Sequence, residues 1–257
     1  MMNDGKIKLR RAVILAAGKG RRLETLQLNK PKPAIVVGGK PLIVRHLEYC
    51  SKCGINEVFI NLHYLPEQIR SLVGDGSEWN LKVTYNFEPI LLGTAGGVKG
   101  LAQYLRGGPF LVIYGDNYLT FSPNEIIDQH FALSFRPDMS IALFELEDIS
   151  GSGVAVCDEN NLVQAFLEKP RAGVTGSHLV NAGVYVMEPE LLDLIPGGTC
   201  DFGHDFIPFL LLSKKRILGV RTKNRVYAID TPELLHRVST KTDLAHGDGV
   251  ADKSNGA

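Results

Sequence analysis

Val13 to Ile35 reads VILAAGKGRRLETLQLNKPKPAI, an apolar run that passes into glycines, arginines and then Pro31-Lys32-Pro33. Ala12–Ala16 has the composition of a buried strand, and Ala16-Ala17-Gly18-Lys19-Gly20 follows it directly. Small residues let a backbone come close to a ligand, and glycine tolerates positive φ, so successive N–H groups can converge on an anion. In an open α/β sheet such a loop lies at the carboxyl end of its strand, where ligands bind. The spacing is that of neither common phosphate loop. Leu23 stands where a dinucleotide fingerprint needs its last glycine, and G-x-x-x-x-G-K-[ST] is absent. Two glycines alone also fit an ordinary strand-to-helix turn. Arg21, Arg22 and Lys32 tilt the reading toward a triphosphate, because Arg offers a fork of donors and Lys a compact charge. Pro31 and Pro33 predict an extended, pre-set segment around Lys32.

Outward from this stretch, strand and helix patterns alternate. Helices are expected over Pro41–Cys53 (closed by Gly54), Pro66 to about Val73, and Gly96–Leu105; strands over Glu57–Leu62, Leu81–Tyr85 and Phe110–Tyr114. Such continuous apolar runs suit parallel strands buried on both faces. Beyond residue 120 strands dominate: Ser140–Glu145, Gly153–Cys157, Val163–Leu167, Ala182–Met187 and Ile217–Thr222, with helices expected at Glu190–Leu194 and His204–Leu212. The pattern predicts an α/β fold with a doubly wound, mixed sheet and no clear linker. The expected organisation is an N-terminal extension over 1–11 and one domain over 12–240. Its two halves cover 12–120 and 121–240. The polar, Gly/Ser/Asp-rich stretch 241–257 reads as a disordered tail.

The chain has 257 residues, with 28 Lys+Arg balanced by 28 Asp+Glu. A protein that wraps a nucleic-acid backbone carries a basic excess or stripe, and none is present. No apolar run is long enough to cross a bilayer, and Met1–Arg11 lacks a signal-peptide core, so the expectation is a cytoplasmic protein with no membrane or nucleic-acid partner. Cys50 and Cys53 have metal-like spacing but no second close pair accompanies them; they read as reduced thiols at a helix end. His63, His130 and His204 share no metal-ligand spacing and read as surface or capping residues. Leu210–Leu212 and Phe206-Ile207 read as core or dimer surface.

The segment LAAGKGRRL followed by KPKP resembles the signature G-x-G-T-R-L…P-K-P of the sugar-1-phosphate nucleotidylyltransferases. Further segments are similar to that family's motifs: Leu92-Gly93-Thr94-Ala95-Gly96-Gly97 to its nucleobase loop, Tyr114-Gly115-Asp116 to its metal-binding G-D, Phe166–Pro170 to F-x-E-K-P, and Asn181–Tyr185 to N-x-G-[IV]-Y. Together they span about residues 12–235. The resemblance implies a Rossmann-like, GT-A-like nucleotidyltransferase fold, with Mg²⁺ as cofactor and an NTP and a sugar 1-phosphate as substrates. It implies that the sugar phosphate attacks the α-phosphorus of the NTP, and that the protein forms a homodimer.

Carried over position by position, the resemblance makes Arg22 and Lys32 the phosphate-gripping catalytic residues, with Arg21, in place of a common Thr, assisting. Lys169 holds the sugar phosphate. Ala16, Ala17, Gly18, Gly20, Gly93 and Thr94 contact the nucleotide, with Glu88 and Asn86 as further candidates. Glu168, Asn181 and the Gly153 backbone face the sugar. Asp116 is the first metal ligand. Asp230 is the second by similarity to cytidylyltransferases, although Ala228 occupies the Asp position of D-I-G-T-P-E and Asp230 also suits a helix N-cap. The G-T-A-G loop favours GTP with a manno-configured hexose or heptose 1-phosphate, while the D-T stretch leans toward cytidylyltransferases. UTP- or CTP-dependent transfer, transfer to a non-sugar phosphate such as choline phosphate, and a non-catalytic sugar-nucleotide-binding regulator are the alternatives.

Overall fold

The computed structural model describes residues 9–18, 29–171 and 173–229, together with Leu234, Leu235 and Val238. The glycine-loop residues Lys19 and Gly20, then Arg21 and Arg22, the candidate ligand Asp230, and the stretches 1–8 and 241–257 lie outside the described residues.

The strands are β1 (Arg11–Leu15), β2 (Val36–Val37), β3 (Lys40–Pro41), β4 (Glu57–Leu62), β5 (Lys82–Phe87), β6 (Phe110–Tyr114), β7 (Asn117–Leu119), β8 (Met139–Glu145), β9 (Gly153–Cys157), β10 (Val163–Glu168), β11 (Leu179–Met187), β12 (Ile217–Arg221) and β13 (Val226–Ala228). The α-helices are α1 (Leu42–Lys52), α2 (Pro66–Val73), α3 (Gly93–Lys99), α4 (Ala102–Leu105), α5 (Asn124–Ala132) and α6 (Ile207–Leu212).

Nine strands form one mixed sheet, in the order β10-β9-β11-β6-β1-β4-β5 with β8 and β12 attached through β11. β6, β1, β4 and β5 run parallel. β11 lies antiparallel to β6, β8 and β9. Along β1, Ala12 and Ile14 enter one core while Val13 enters the other, so the strand is buried on both faces and its apolar run is explained. The chain leaves β1 toward β4 and β5, then returns to β6 on the other side. That reversal places a crevice at the carboxyl ends of β1 and β6.

α1 buries Leu42, Ile43, His46, Leu47 and Cys50, a helical stripe, and Gly54 follows its end at φ 75°. Several expectations need correction. Gly96–Leu105 is two short helices, because the first one stops at Gly100, a poor helix former. His204–Leu212 opens as a π-helical turn, Phe202–Phe206, before α6, and Glu190–Leu194 is a 3-10 turn, Pro189–Asp193. His130 is not a surface residue. It is fully buried, with Nδ1 at 2.8 Å from Ser140 Oγ and Nε2 at 3.0 Å from Glu188 Oε1, because α5 packs against β8. Leu210 is core, whereas Leu212 is 84% exposed.

Candidate active site

β1 delivers Ala16, Ala17 and Gly18 to the crevice, and β6 delivers Gly115 and Asp116. The two ends are bonded together: the Gly115 N–H donates to the Leu15 carbonyl at 2.9 Å. A Cβ at position 115 would lie 2.7 Å from that carbonyl oxygen, so only glycine permits the approach. Lys32 enters from the side. The expected extended segment is instead a 3-10 turn, Lys32–Ala34, held by Ala34 N–H to the Pro31 carbonyl at 2.9 Å. Pro31 remains extended and sets up that turn, and Pro33 packs beside Gly115. Lys32 Nζ reaches Asp116 Oδ2 at 3.2 Å.

Leu15, Ala17, Gly18, Lys32, Asn61, Glu88, Gly93, Thr94, Tyr114, Asp116 and Asp201 are among the residues lining one cleft of about 310 Å³. The structure thus gathers Ala17, Gly18, Lys32, Glu88, Gly93, Thr94 and Asp116, all site residues expected from the sequence, around a single space. Ala16 is buried just behind the cleft wall, with its N–H on Asn61 Oδ1 at 2.7 Å.

Asn61, Tyr114 and Asp201 join this wall in addition to the residues expected there. Asp201 caps the π-helical turn by accepting from Gly203 N–H at 3.0 Å, and its other oxygen accepts from Thr94 Oγ1 at 2.9 Å. Thr94 Oγ1 in turn accepts from Phe202 N–H at 2.8 Å, so the Gly93-Thr94 loop is fastened to a segment more than a hundred residues away. Asp201 carries a faint sequence signal, since D-x-x-x-D before an apolar run suits a helix start. Asn61 carries a clearer one: it is an amide among the apolar residues Val58–Leu62 of the EVFINL strand.

The candidates from the second half sit on β9, β10 and β11. Glu168 pairs with Gly153 across β10 and β9. Its carboxyl is pushed up by burial, and further by the Asp201 charge, while Lys169 beside it pulls the other way. Lys169 holds a left-handed backbone at φ 49°, with Nζ at 4.0 Å from Glu168 Oε1. Asn181 donates to the Tyr185 hydroxyl at 2.6 Å, and Tyr185 packs edge-on against Tyr114 of the cleft wall, centroids 5.6 Å apart. Glu168, Lys169, Gly153 and Asn181 do not line the 310 Å³ cleft itself. His63 Nδ1 lies 2.8 Å from the Glu88 carbonyl oxygen, and His204 is exposed.

Residues 11–225 match the family described as nucleotidyl transferase. The chain belongs to that family. It is 31% identical over 213 residues to a UTP–glucose-1-phosphate uridylyltransferase of Synechocystis, covering 78% of this chain and 55% of that protein. It is 35% identical over 187 residues to a mannose-1-phosphate guanylyltransferase of Mycobacterium tuberculosis, covering 73% and 51%. The chain therefore spans about half the length of the curated relatives it matches. Among solved structures it resembles HddC from Yersinia pseudotuberculosis, at 27% identity and TM-score 0.76 over 91% of this chain and 99% of that one. HddC has also been solved with GMP-PN, at TM-score 0.75 over the same shares.

Proposed function

We propose that this chain transfers a nucleotidyl group from an NTP, GTP by preference, to a manno-configured hexose or heptose 1-phosphate, releasing pyrophosphate. The observation that carries this reading is the Lys32–Asp116 pair, set between the glycine loop and the Gly93-Thr94 loop in one cleft. A cation there answers phosphate oxygens, and a carboxylate there answers the counter-cation that phosphates bring. The guanylyltransferase relatives and the GMP-PN complex of HddC support GTP. The uridylyltransferase relative makes UTP the second reading.

In this scheme an oxygen of the sugar phosphate attacks the α-phosphorus in line. The bond from that phosphorus to the bridging oxygen breaks, and pyrophosphate departs with the bonding pair. Catalysis is positioning and charge stabilisation, with no covalent protein intermediate. Lys32 and Arg22 grip the phosphates, assisted by Arg21, while backbone at Ala16, Ala17, Gly18, Gly20, Gly93 and Thr94 holds the nucleotide. Lys169 places the sugar phosphate, and Glu168, Asn181 and the Gly153 backbone contact the sugar.

The residues fit Mg²⁺. Asp116 is a hard-oxygen ligand, about one-third exposed, at the cleft. No group of three or more His, Cys, Asp or Glu forms a metal cage among the described residues. Mg²⁺ needs none where one or two carboxylates, water and substrate phosphates share its shell. Asp116 and Asp230 would hold the ion. The support for Asp230 is its neighbour Ile229, whose N–H donates to the Asp116 carbonyl at 3.2 Å. When bound, Mg²⁺ neutralises phosphate oxygens.

The test is a matrix of NTPs against hexose, heptose and alditol 1-phosphates and choline phosphate, with Mg²⁺, read by mass spectrometry. Pyrophosphate and a GDP-sugar forming only when both substrates are present supports the reading. Silence across the matrix despite nucleotide binding favours a non-catalytic regulator and refutes catalysis.

A further inference from the structure

Asn61 sits near the end of β4, only 2% exposed, in a strand whose other buried residues are apolar. A buried amide is costly unless both its ends are satisfied. Here they are. The Ala16 N–H can only donate, so the atom facing it at 2.7 Å is the amide oxygen, Oδ1. The Nδ2 group then points to Glu88 and donates to Oε1 at 2.8 Å. Glu88, 1% exposed, accepts through Oε2 from the Leu92 N–H at 3.2 Å.

The result is a continuous chain of hydrogen bonds across the cleft floor: Ala16 N–H to Asn61, Asn61 to Glu88, Leu92 N–H to Glu88. Its two ends are the first residue of the glycine loop and the residue preceding the Gly93-Thr94 loop. Gly97 on α3 closes over the middle, where a Cβ would lie 2.5 Å from Asn61 Nδ2 and 2.9 Å from Glu88 Oε1. A neutral amide is the group that suits this place. It accepts on one side, donates on the other, and puts no second charge beside a buried carboxylate.

We infer that Asn61 is a positioning residue for nucleotide binding, fixing the separation of the two nucleotide loops through Glu88 without itself reacting. This rests on the function proposed above. The geometry makes a polarity test available. Asn61→Asp keeps the acceptor for Ala16 but sets a carboxylate against the Glu88 carboxylate. Glu88→Gln places an NH₂ against a donor whichever way its amide turns. The double variant Asn61→Asp/Glu88→Gln reverses the central bond and keeps every partner satisfied.

The experiment measures NTP and sugar-phosphate KM, melting temperature, and amide hydrogen exchange at Ala16 and Leu92 for the wild type, both single variants and the double. Each single variant should raise the NTP KM on the order of 10-fold, the scale of losing a charged hydrogen bond, and speed Leu92 exchange. The sugar-phosphate KM should stay within about twofold, and the double variant should recover both readouts. If a single variant fails to fold, the double is the variant that should fold, which keeps the cycle readable. Additive damage in the double overturns the inference. So does fast Leu92 exchange with an unchanged NTP KM, which would leave the chain of bonds purely structural. A wild type with protected amides that binds no NTP refutes the proposed function instead.

Discussion

Lowering the pH should destabilise this protein through His46, and the size of the effect follows from its surroundings. The imidazole of this α1 residue is fully buried, and among the described residues its ring nitrogens make no well-formed hydrogen bond, only weak contact with the Gly115 and Asn117 backbone. Burial pushes it down from its ordinary value of 6.5 to about 4; the neighbouring Gly115 and Asn117 backbone offsets this only in part. As pH falls below 6.5 the unfolded chain takes up a proton that the folded chain refuses until about 4. The contribution is therefore complete above neutrality and is lost through that interval, at about 1.4 kcal/mol per pH unit. At pH 4.5 the loss is roughly 2.5 kcal/mol relative to pH 7.5, from those two values. Urea unfolding of the wild type and His46→Leu at both pH values measures it. Other groups titrate in both proteins, so the difference between them isolates His46. The variant should lose roughly 2.5 kcal/mol less stability on acidification, with an unchanged denaturant slope. Equal losses in the two proteins would refute the reasoning.

Lys32→Met removes the cation facing Asp116, and kcat/KM for nucleotidyl transfer should fall on the order of 10²–10³-fold; steady-state kinetics near the wild-type value would remove Lys32 from the phosphate site. Gly183 sits in β11 at φ 68°, where a Cβ would lie 2.6 Å from Asn117 Nδ2 and 2.8 Å from the Tyr114 ring. Gly183→Ala should cost roughly 2–5 kcal/mol from left-handed strain and overpacking, about 5–15 °C in Tm, and an unaltered melt would contradict that packing. Burial raises the Glu168 carboxyl, so sugar-phosphate affinity should weaken as pH falls through that raised value and the acceptor protonates. Glu168→Gln should already be weaker by about 10-fold and flat with pH; a variant that keeps the wild-type profile would dismiss Glu168 as a sugar contact.

The parts legible in sequence are those with a local cause. The apolar runs at β1, β4 and β6 announce strands buried on two faces, and Pro66 and Gly54 announce where α2 begins and where α1 has ended. Lys32 and Asp116 are legible through motifs, though not their 3.2 Å contact, which joins residues 84 positions apart. What escapes is set by tertiary packing. His130 looks like a surface residue until α5 lies on β8. The π-helical turn at Phe202–Phe206 is shaped by Asp201 bonding to Thr94, a partner no window around Asp201 contains. Asn61 carries a readable anomaly, a polar residue within an apolar run, but its two partners come from other elements.

β11 has nine residues; β8 pairs along one of its edges, while the other edge takes β9 at Leu179 and Val180 and then β6 from Val184 to Met187. A cut near residue 120 would strip β6 of β11 and leave the apolar edge Phe110–Ile113 unpaired, a template for aggregation. The two halves share one sheet through that pairing, so exchanging the proposed acceptor pocket calls for residue-by-residue redesign of β9–β11 rather than the swap of a module.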